Sequence, residues 1–181
     1  MILVTNDIPI NVKNIEKDNS GRFLLMECIV NDIEYILVNL YAPTSDKRCA
    51  QKSFGELVYS NLHSHVGKSI IVGGDLNICL DNTLKIPSNL NKSYLDSLER
   101  LMQNLNMVDI WRLKHPNTVR YTRREKTRSG FTQSRIDHFL ISCHLEFSVV
   151  STDMVPGLKL DHSLLKLSFC SNKDHIRGKG F

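Results

Sequence analysis

The stretch RFLLMECIVNDIEYILVNLY, residues 22 to 41, decides the fold. Its halves, 22 to 30 and 33 to 41, are apolar and β-compatible. They meet at Asn31-Asp32, residue types that tolerate the positive φ angles of a tight hairpin turn. An antiparallel pair follows. On its second strand Ile36, Val38 and Leu40 share one face, while Asn39 and Tyr41 share the other, because side chains alternate with period two. Tyr41 leaves the strand end in polar company.

Beyond this hairpin, Ala-Pro-Thr-Ser-Asp supplies a turn with several candidate N-caps. Ala50, Phe54, Leu57, Val58 and Leu62 then recur at helical spacing and predict an amphipathic helix over about 47 to 64. Ser69 to Val72 reads as a short buried strand that runs into Gly73-Gly74, with Asp75, Leu76 and Asn77 after it. Leu95, Leu98, Leu101, Met102 and Leu105 predict a second helix, with Ser93 and Asp96 at capping-box spacing. Further strands are expected at Val119 to Arg123, Arg135 to Ser142, Phe147 to Ser151 and Leu164 to Phe169. Hairpins mixed with helix-separated strands argue for an α/β sandwich and against a uniform βαβ repeat.

Composition narrows the classes. The chain has 181 residues, 41% hydrophobic and 23% charged, which suits one globular domain and includes no apolar run of the ~18 residues a membrane helix needs. Met1 to Thr5 is interrupted by Asn6 and Asp7, with no basic segment before it, so secretion is not expected and an intracellular place, nuclear or cytoplasmic, is. Five scattered cysteines without C-x-x-C predict buried thiols in place of disulfides or zinc, and His63 and His65 read as surface residues.

Charge is uneven. From Arg112 to Arg135 eight basic residues oppose Glu125 alone, a local charge of +7 within a chain of +4, which leaves −3 elsewhere. That segment reads either as a solvated loop or as a phosphate-contacting patch. The polar groups at strand ends, Tyr41, Asp75 with Asn77, Asp137, and Asp161-His162, are placed to meet in a cleft and to hold a metal and a phosphate. Each also has a plainer reading: Asp75 stabilising a turn, Asp137 pairing with Arg135 or Arg120, His162 capping a strand.

In order, NLYAP, GGDLN, RIDHFLIS and LDHS resemble the endonuclease/exonuclease/phosphatase superfamily, and within it the apurinic-type endonuclease domain of LINE-type (non-LTR) retrotransposons. The resemblance covers essentially the whole chain, including Tyr121 and Thr122. It implies a four-layer α/β sandwich of two mostly antiparallel sheets, with helices outside, over residues 1 to 170. Residues 171 to 181, ending RGKGF, resemble the segment that follows the nuclease in such reverse-transcriptase polyproteins.

The resemblance implies metal-dependent hydrolysis of DNA phosphodiesters, a nicking activity. Asp75 would orient or deprotonate water, Asn77 would bond the scissile phosphate, and His162 would donate to it with Asp137 holding its ring. Asp161 would lie by the metal, Tyr41 would support the phosphate or the metal shell, and Thr122 would contact substrate. Arg120, Arg123, Arg124, Lys126 and Arg128 are the expected phosphate contacts. A hydrolytic transition state gathers charge on phosphate oxygens, so a divalent cation, an imidazolium and an amide N–H stabilise it, and hard oxygen ligands favour Mg²⁺ or Mn²⁺.

Two departures stand out. The family's Asn on its first strand and its metal-binding Glu would lie upstream of this sequence, so the expectation is a domain incomplete at its N-terminus, lacking its first strands, with impaired activity. Leu160 stands where the family has Ser before Asp-His. A catalytically dead nucleic-acid-binding remnant is the second reading. A phosphoinositide or sphingolipid phosphatase is the third, disfavoured by the basic stretch and the tail.

Overall fold

A computed structural model describes residues 1–80, 91–127, 130–157 and 161–171. Leu160, Arg128 and the 172 to 181 tail, all singled out above, lie outside the described residues. No helix among the described residues is long and apolar enough to cross a membrane.

The anticipated hairpin forms as β2 (Phe23–Val30) and β3 (Ile33–Tyr41), in register from Phe23 opposite Leu40 to Val30 opposite Ile33. Asn31 and Asp32 take φ of 50° and 60°, the paired left-handed conformation that lets a two-residue turn follow strand twist. β1 (Ile10–Lys17) pairs antiparallel with β2. After α1 (Arg48–Leu62) the chain re-enters as β4 (Ser69–Asp75), parallel to β3, as a helical crossover requires. Then come α2 (Lys92–Asn104), β5 (Met107–Asp109) and the short α3 (Ile110–Lys114). β6 (Arg123–Thr127) and β7 (Gly130–Ser134) make a separate hairpin. β8 (Asp137–Ser142) returns to the main sheet, and a 3-10 turn at Cys143–Ser148 leads to β9 (Val149–Val155) and β10 (Leu164–Phe169).

The main sheet is six-stranded, in the order β1-β2-β3-β4-β8-β5, and β9 pairs with β10 as a second, two-stranded sheet. Period-two alternation gives the main sheet two apolar faces. Phe23, Leu25, Ile36, Val38, Leu40, Ile70, Val72 and Leu140 pack with Phe54, Val58 and Leu62 of α1 and with Tyr94, Leu98 and Leu101 of α2. The other face brings Met26, Cys28, Tyr35, Ile71 and Ile141 against Ile110, Leu145, Val149 and Leu167. α1 and α2 lie on one side of the main sheet, and α3 and the second sheet on the other, an α/β sandwich as the resemblance implies.

Several local expectations change. Residues 119 to 122 are not strand. Part of the basic segment, for which a solvated loop is one reading, forms the β6–β7 hairpin, because alternating charged and polar side chains on two solvated faces still satisfy their backbone as a ladder. Ser93 and Asp96 form no capping box. The N-cap of α2 is Asn91, whose side chain turns inward to Arg48 O at 2.9 Å and Gln51 Oε1 at 3.2 Å. Of the thiols only Cys28 is buried, and Cys49 is exposed.

Gly74, near the site, leaves no room for a side chain against the backbone of β3. Its φ is +140°, and a Cβ there would sit 2.0 Å from Leu40 O. This close approach of β3 and β4 delivers Asp75 to the sheet end beside Tyr41, its pairing partner.

Candidate active site

β4 and β8 run antiparallel and end in register with Asp75 opposite Asp137, so two carboxylates leave the sheet side by side. His162 joins them from the segment before β10. Its Nδ1 lies 2.9 Å from Asp137 Oδ2 and 3.2 Å from Oδ1. Ligand-type atoms of Asp75, Asp137 and His162 all lie within 4.8 Å of one another. The sequence-predicted residues Asp75, Asp137 and His162 therefore converge although 87 positions separate the first from the last.

Asn77 holds Asp75 from inside a tight turn. Its backbone N–H donates to Asp75 Oδ1 at 2.8 Å, and its side-chain Nδ2 donates to Asp75 Oδ2 at 3.1 Å and to Ala42 O at 2.8 Å. Both amide hydrogens of Asn77 are thus used within the protein. Burial raises the Asp75 carboxyl above its ordinary range; the Asn77 N–H opposes this, Asp137 adds to it, and His162 and Arg123 oppose it. The net upward direction comes chiefly from burial of the carboxyl, with the facing Asp137 adding to it. A hard divalent cation fits such a donor set, since Mg²⁺ accepts one or two carboxylates and completes its shell with water and substrate phosphate. The imidazole is the poorer ligand, its Nδ1 being engaged by Asp137.

The other expected residues divide. Tyr41 reaches the same sheet end, half-exposed, with the Arg22 guanidinium 5.1 Å from its ring centre. Asp161, expected beside the metal, stands outside the three-residue group. Its carboxylate is 3.8 Å from Arg123 Nε and its carbonyl accepts from Arg124 N at 2.7 Å. Thr122, expected to touch substrate, is buried: its hydroxyl accepts from Ile136 N at 3.0 Å and Asp137 N at 3.1 Å, fixing the start of β8.

The basic cluster also sorts itself. Arg120 pairs with Asp153 at 3.1 Å, and Arg123 with Glu125 at 2.9 Å. Arg124 lies over the exposed Phe131 ring at 4.9 Å, and Lys126 is solvent-facing on the same hairpin. The hairpin root is stitched to the segment carrying His162 by a bridge between Arg123 and His162 and by Ser163 N donating to Thr122 O at 2.6 Å. Arg135 and Arg112, counted above with the basic stretch, turn inward. Arg135 is 1% exposed and donates to Asp109 Oδ2 at 2.6 Å, and Arg112 donates to the carbonyls of His115, Pro116 and Thr118.

Sequence reasoning missed the buried group made by Asp109, Arg135 and His138. His138 is the residue after Asp137 and so faces the opposite side of β8. Its Nδ1 meets Asp109 Oδ2 at 3.0 Å and its Nε2 meets Ile78 O at 3.0 Å. Burial alone would raise the Asp109 carboxyl, but the hydrogen bonds and charges of His138 and Arg135 outweigh it and hold it far below the usual carboxylate range. A basic residue and a histidine flanking Asp137 in RIDH were the available signal.

This architecture is shared with solved AP endonucleases and with a retrotransposon endonuclease domain. The AP endonuclease LMAP from Leishmania major superposes with a TM-score of 0.68 at 21% identity, covering 83% of this chain and 55% of that one. The endonuclease domain of TRAS1, a telomere-specific non-LTR retrotransposon, gives 0.65 at 15% identity, covering 91% and 70%. In sequence, the chain is 30% identical over 148 residues to the Transposon TX1 uncharacterized 149 kDa protein of Xenopus laevis. That match takes in 81% of this chain and 11% of the Xenopus protein, so the chain spans about a tenth of that relative and just over half of the Leishmania enzyme. No protein-family model matches.

Proposed function

We propose that this chain is a divalent-metal-dependent phosphodiesterase that nicks DNA, the nuclease segment of a longer transposon-encoded polyprotein. The observation that carries the reading is the convergence of Asp75, Asp137 and His162 at one sheet end, with Asn77 clasping Asp75. Likeness to AP endonucleases and to a retrotransposon endonuclease domain supports the reaction class. The transposon relative supports the polyprotein context.

In this reading Asp75, with its raised pKa, accepts the proton of the attacking water. Asp137 holds His162 through Nδ1, leaving Nε2 to donate to a non-bridging phosphate oxygen. The Asn77 amide gives up one of its two internal acceptors when phosphate enters, or else acts only by orienting Asp75. A cation held by Asp75 and Asp137 would neutralise charge developing on the phosphate, and Mg²⁺ or Mn²⁺ suits these oxygens. Only two carboxylates serve it among the described residues, so its affinity is expected to be low without substrate. The exposed cations Arg124 and Lys126, on a hairpin rooted beside His162, favour a polyanionic duplex over a lipid headgroup.

The test is nicking of supercoiled plasmid by the parent chain and by His162→Ala, each with Mg²⁺ and with chelator. Relaxed circles should require Mg²⁺ and fall by about 100- to 1,000-fold in His162→Ala. Nicking that ignores both chelator and substitution would refute the assignment.

A further inference from the structure

The turn after Asp75 is held in an unusual way. Three successive carbonyls, of Leu76, Asn77 and Ile78, each receive a hydrogen bond from a buried side chain of a different element. Tyr94 of α2 donates its hydroxyl to Leu76 O at 3.1 Å. Gln51 of α1 donates Nε2 to Asn77 O at 3.3 Å and to Pro43 O at 3.0 Å. His138 of β8 lies with Nε2 3.0 Å from Ile78 O, and since a carbonyl only accepts, that nitrogen carries the proton. The three donors are 0%, 1% and 2% exposed.

We propose that Tyr94, Gln51 and His138 are positioning residues that fix the Asp75 carboxylate by gripping the 76 to 78 backbone. The proposal rests on the hydrolase reading, which supplies a reaction for the carboxylate to be aligned with. Both Asp75 oxygens are held by Asn77, so the carboxylate points where the turn places the Asn77 N–H and amide. Asn77 has a φ of 48°, a left-handed conformation that asparagine tolerates better than most residues but that still lies above its extended and helical states. Hydrogen bonds to the turn's carbonyls help to hold it there.

Satisfying a buried carbonyl is common and by itself means little. Here the donors are themselves braced. Gln51 Oε1 accepts from Asn91 Nδ2 at 3.2 Å, and His138 Nδ1 rests on the Asp109 carboxylate that Arg135 also holds. Gln51 also ties the segment after Tyr41, through Pro43 O, to the turn after Asp75, fixing the spacing of two strands' ends at the site. Burying polar side chains against apolar helices is costly unless each is fully bonded. Three such side chains on consecutive peptides therefore mark this turn as a place where small displacements matter. A misplacement of ~1 Å costs about 100-fold in rate when reacting groups must be aligned.

The experiment compares the parent with Tyr94→Phe and Gln51→Met, which keep bulk and lose the donor. Leu105→Val, at the C-cap of α2, is a core control about 16 Å from Tyr94 at the helical rise. With a labelled duplex and saturating Mg²⁺, kcat should fall by about 10- to 100-fold in both variants, with KM within about 2-fold of the parent. The control, matched for loss of melting temperature, should keep kcat within about 2-fold. Amide hydrogen exchange gives a readout independent of activity: the Asn77 N–H should exchange at least ~10-fold faster in Tyr94→Phe, while Val72 in β4 is unchanged. Parental kcat in the variants, loss matched by the control, or unchanged exchange at Asn77 would each overturn the proposal. If the parent itself does not nick, the hydrolase reading fails, and exchange at Asn77 alone decides whether the grip exists. Should Gln51→Met not fold, Tyr94→Phe decides.

Discussion

Replacing Asp109 by Asn removes a charge and almost no volume, and the structure fixes what that should cost. The carboxylate is 10% exposed and receives Arg135 Nη1 at 2.6 Å and His138 Nδ1 at 3.0 Å on one oxygen, both partners being buried. Asp109 Oδ1 also caps α3 by accepting from Arg112 N at 3.1 Å. Breaking a buried pair from one side leaves an uncompensated charge and costs about 3–5 kcal/mol, a large part of the ~5–15 kcal/mol that holds a domain together. With a urea slope of about 2 kcal/mol/M, the unfolding midpoint of Asp109→Asn should fall by roughly 2 M. The only tryptophan, Trp111, lies 5.4 Å from the Arg135 guanidinium, so its fluorescence reports the transition. The pH dependence has a definite sign. Asp109 has a depressed folded pKa, so its contribution is complete above the unfolded value of about 3.9 and is lost as pH falls through the folded one. The gap between parent and variant should be widest near neutrality and close in acid. An unchanged midpoint at pH 7, or a gap that does not narrow in acid, would refute the buried-charge account.

Other outcomes follow from the same geometry. Neutralising Arg124 and Lys126 together should weaken duplex binding and reduce the slope of log affinity against log salt by up to about 2, as for two lost phosphate contacts, in fluorescence anisotropy; His162→Ala should leave that slope unchanged. Asp75 has a raised folded pKa, so ionising it destabilises the fold as pH rises from about 3.9 through the folded value. Asp75→Asn should therefore melt higher than the parent at pH 7, with the advantage gone below about pH 4, while nicking is lost. Gly74→Ala should cost at least ~3 kcal/mol, since its Cβ would overlap Leu40 O. Gly21→Ala, with positive φ but open space around the Cβ, should cost about 1 kcal/mol, both read by urea unfolding.

The parts of this molecule legible from sequence are those where one local rule dominates. Asn31-Asp32 announces its hairpin because few residue pairs accept two positive φ angles. Asp75 stands out because Gly73-Gly74 breaks an apolar run just before it. The β6–β7 hairpin was hidden because RREKT and GFTQS bury almost nothing, so no apolar alternation marks them. Thr122 and Arg135 carried polar side chains that composition assigns to the surface, whereas tertiary contacts with the β8 start and with Asp109 draw them inside. Gln51 and Tyr94 sit on helix faces indistinguishable from core positions, and only the fold shows which carbonyls they reach.

Because Asp137 and His138 are neighbours on β8 and face opposite sides, a one-residue slip of that strand would exchange them. Asp137 would then enter the interior against Asp109, while His138 would lose both its carboxylate and Ile78 O. Two buried acids would compete for Arg135, a penalty far larger than any single ladder bond. β8 is gripped by β4 on one side and β5 on the other, so its alignment sets both neighbours. The buried triad thus acts as a proofreader of strand registry: a chain that has shut Asp109, Arg135 and His138 away from water has already aimed Asp137 at the cleft.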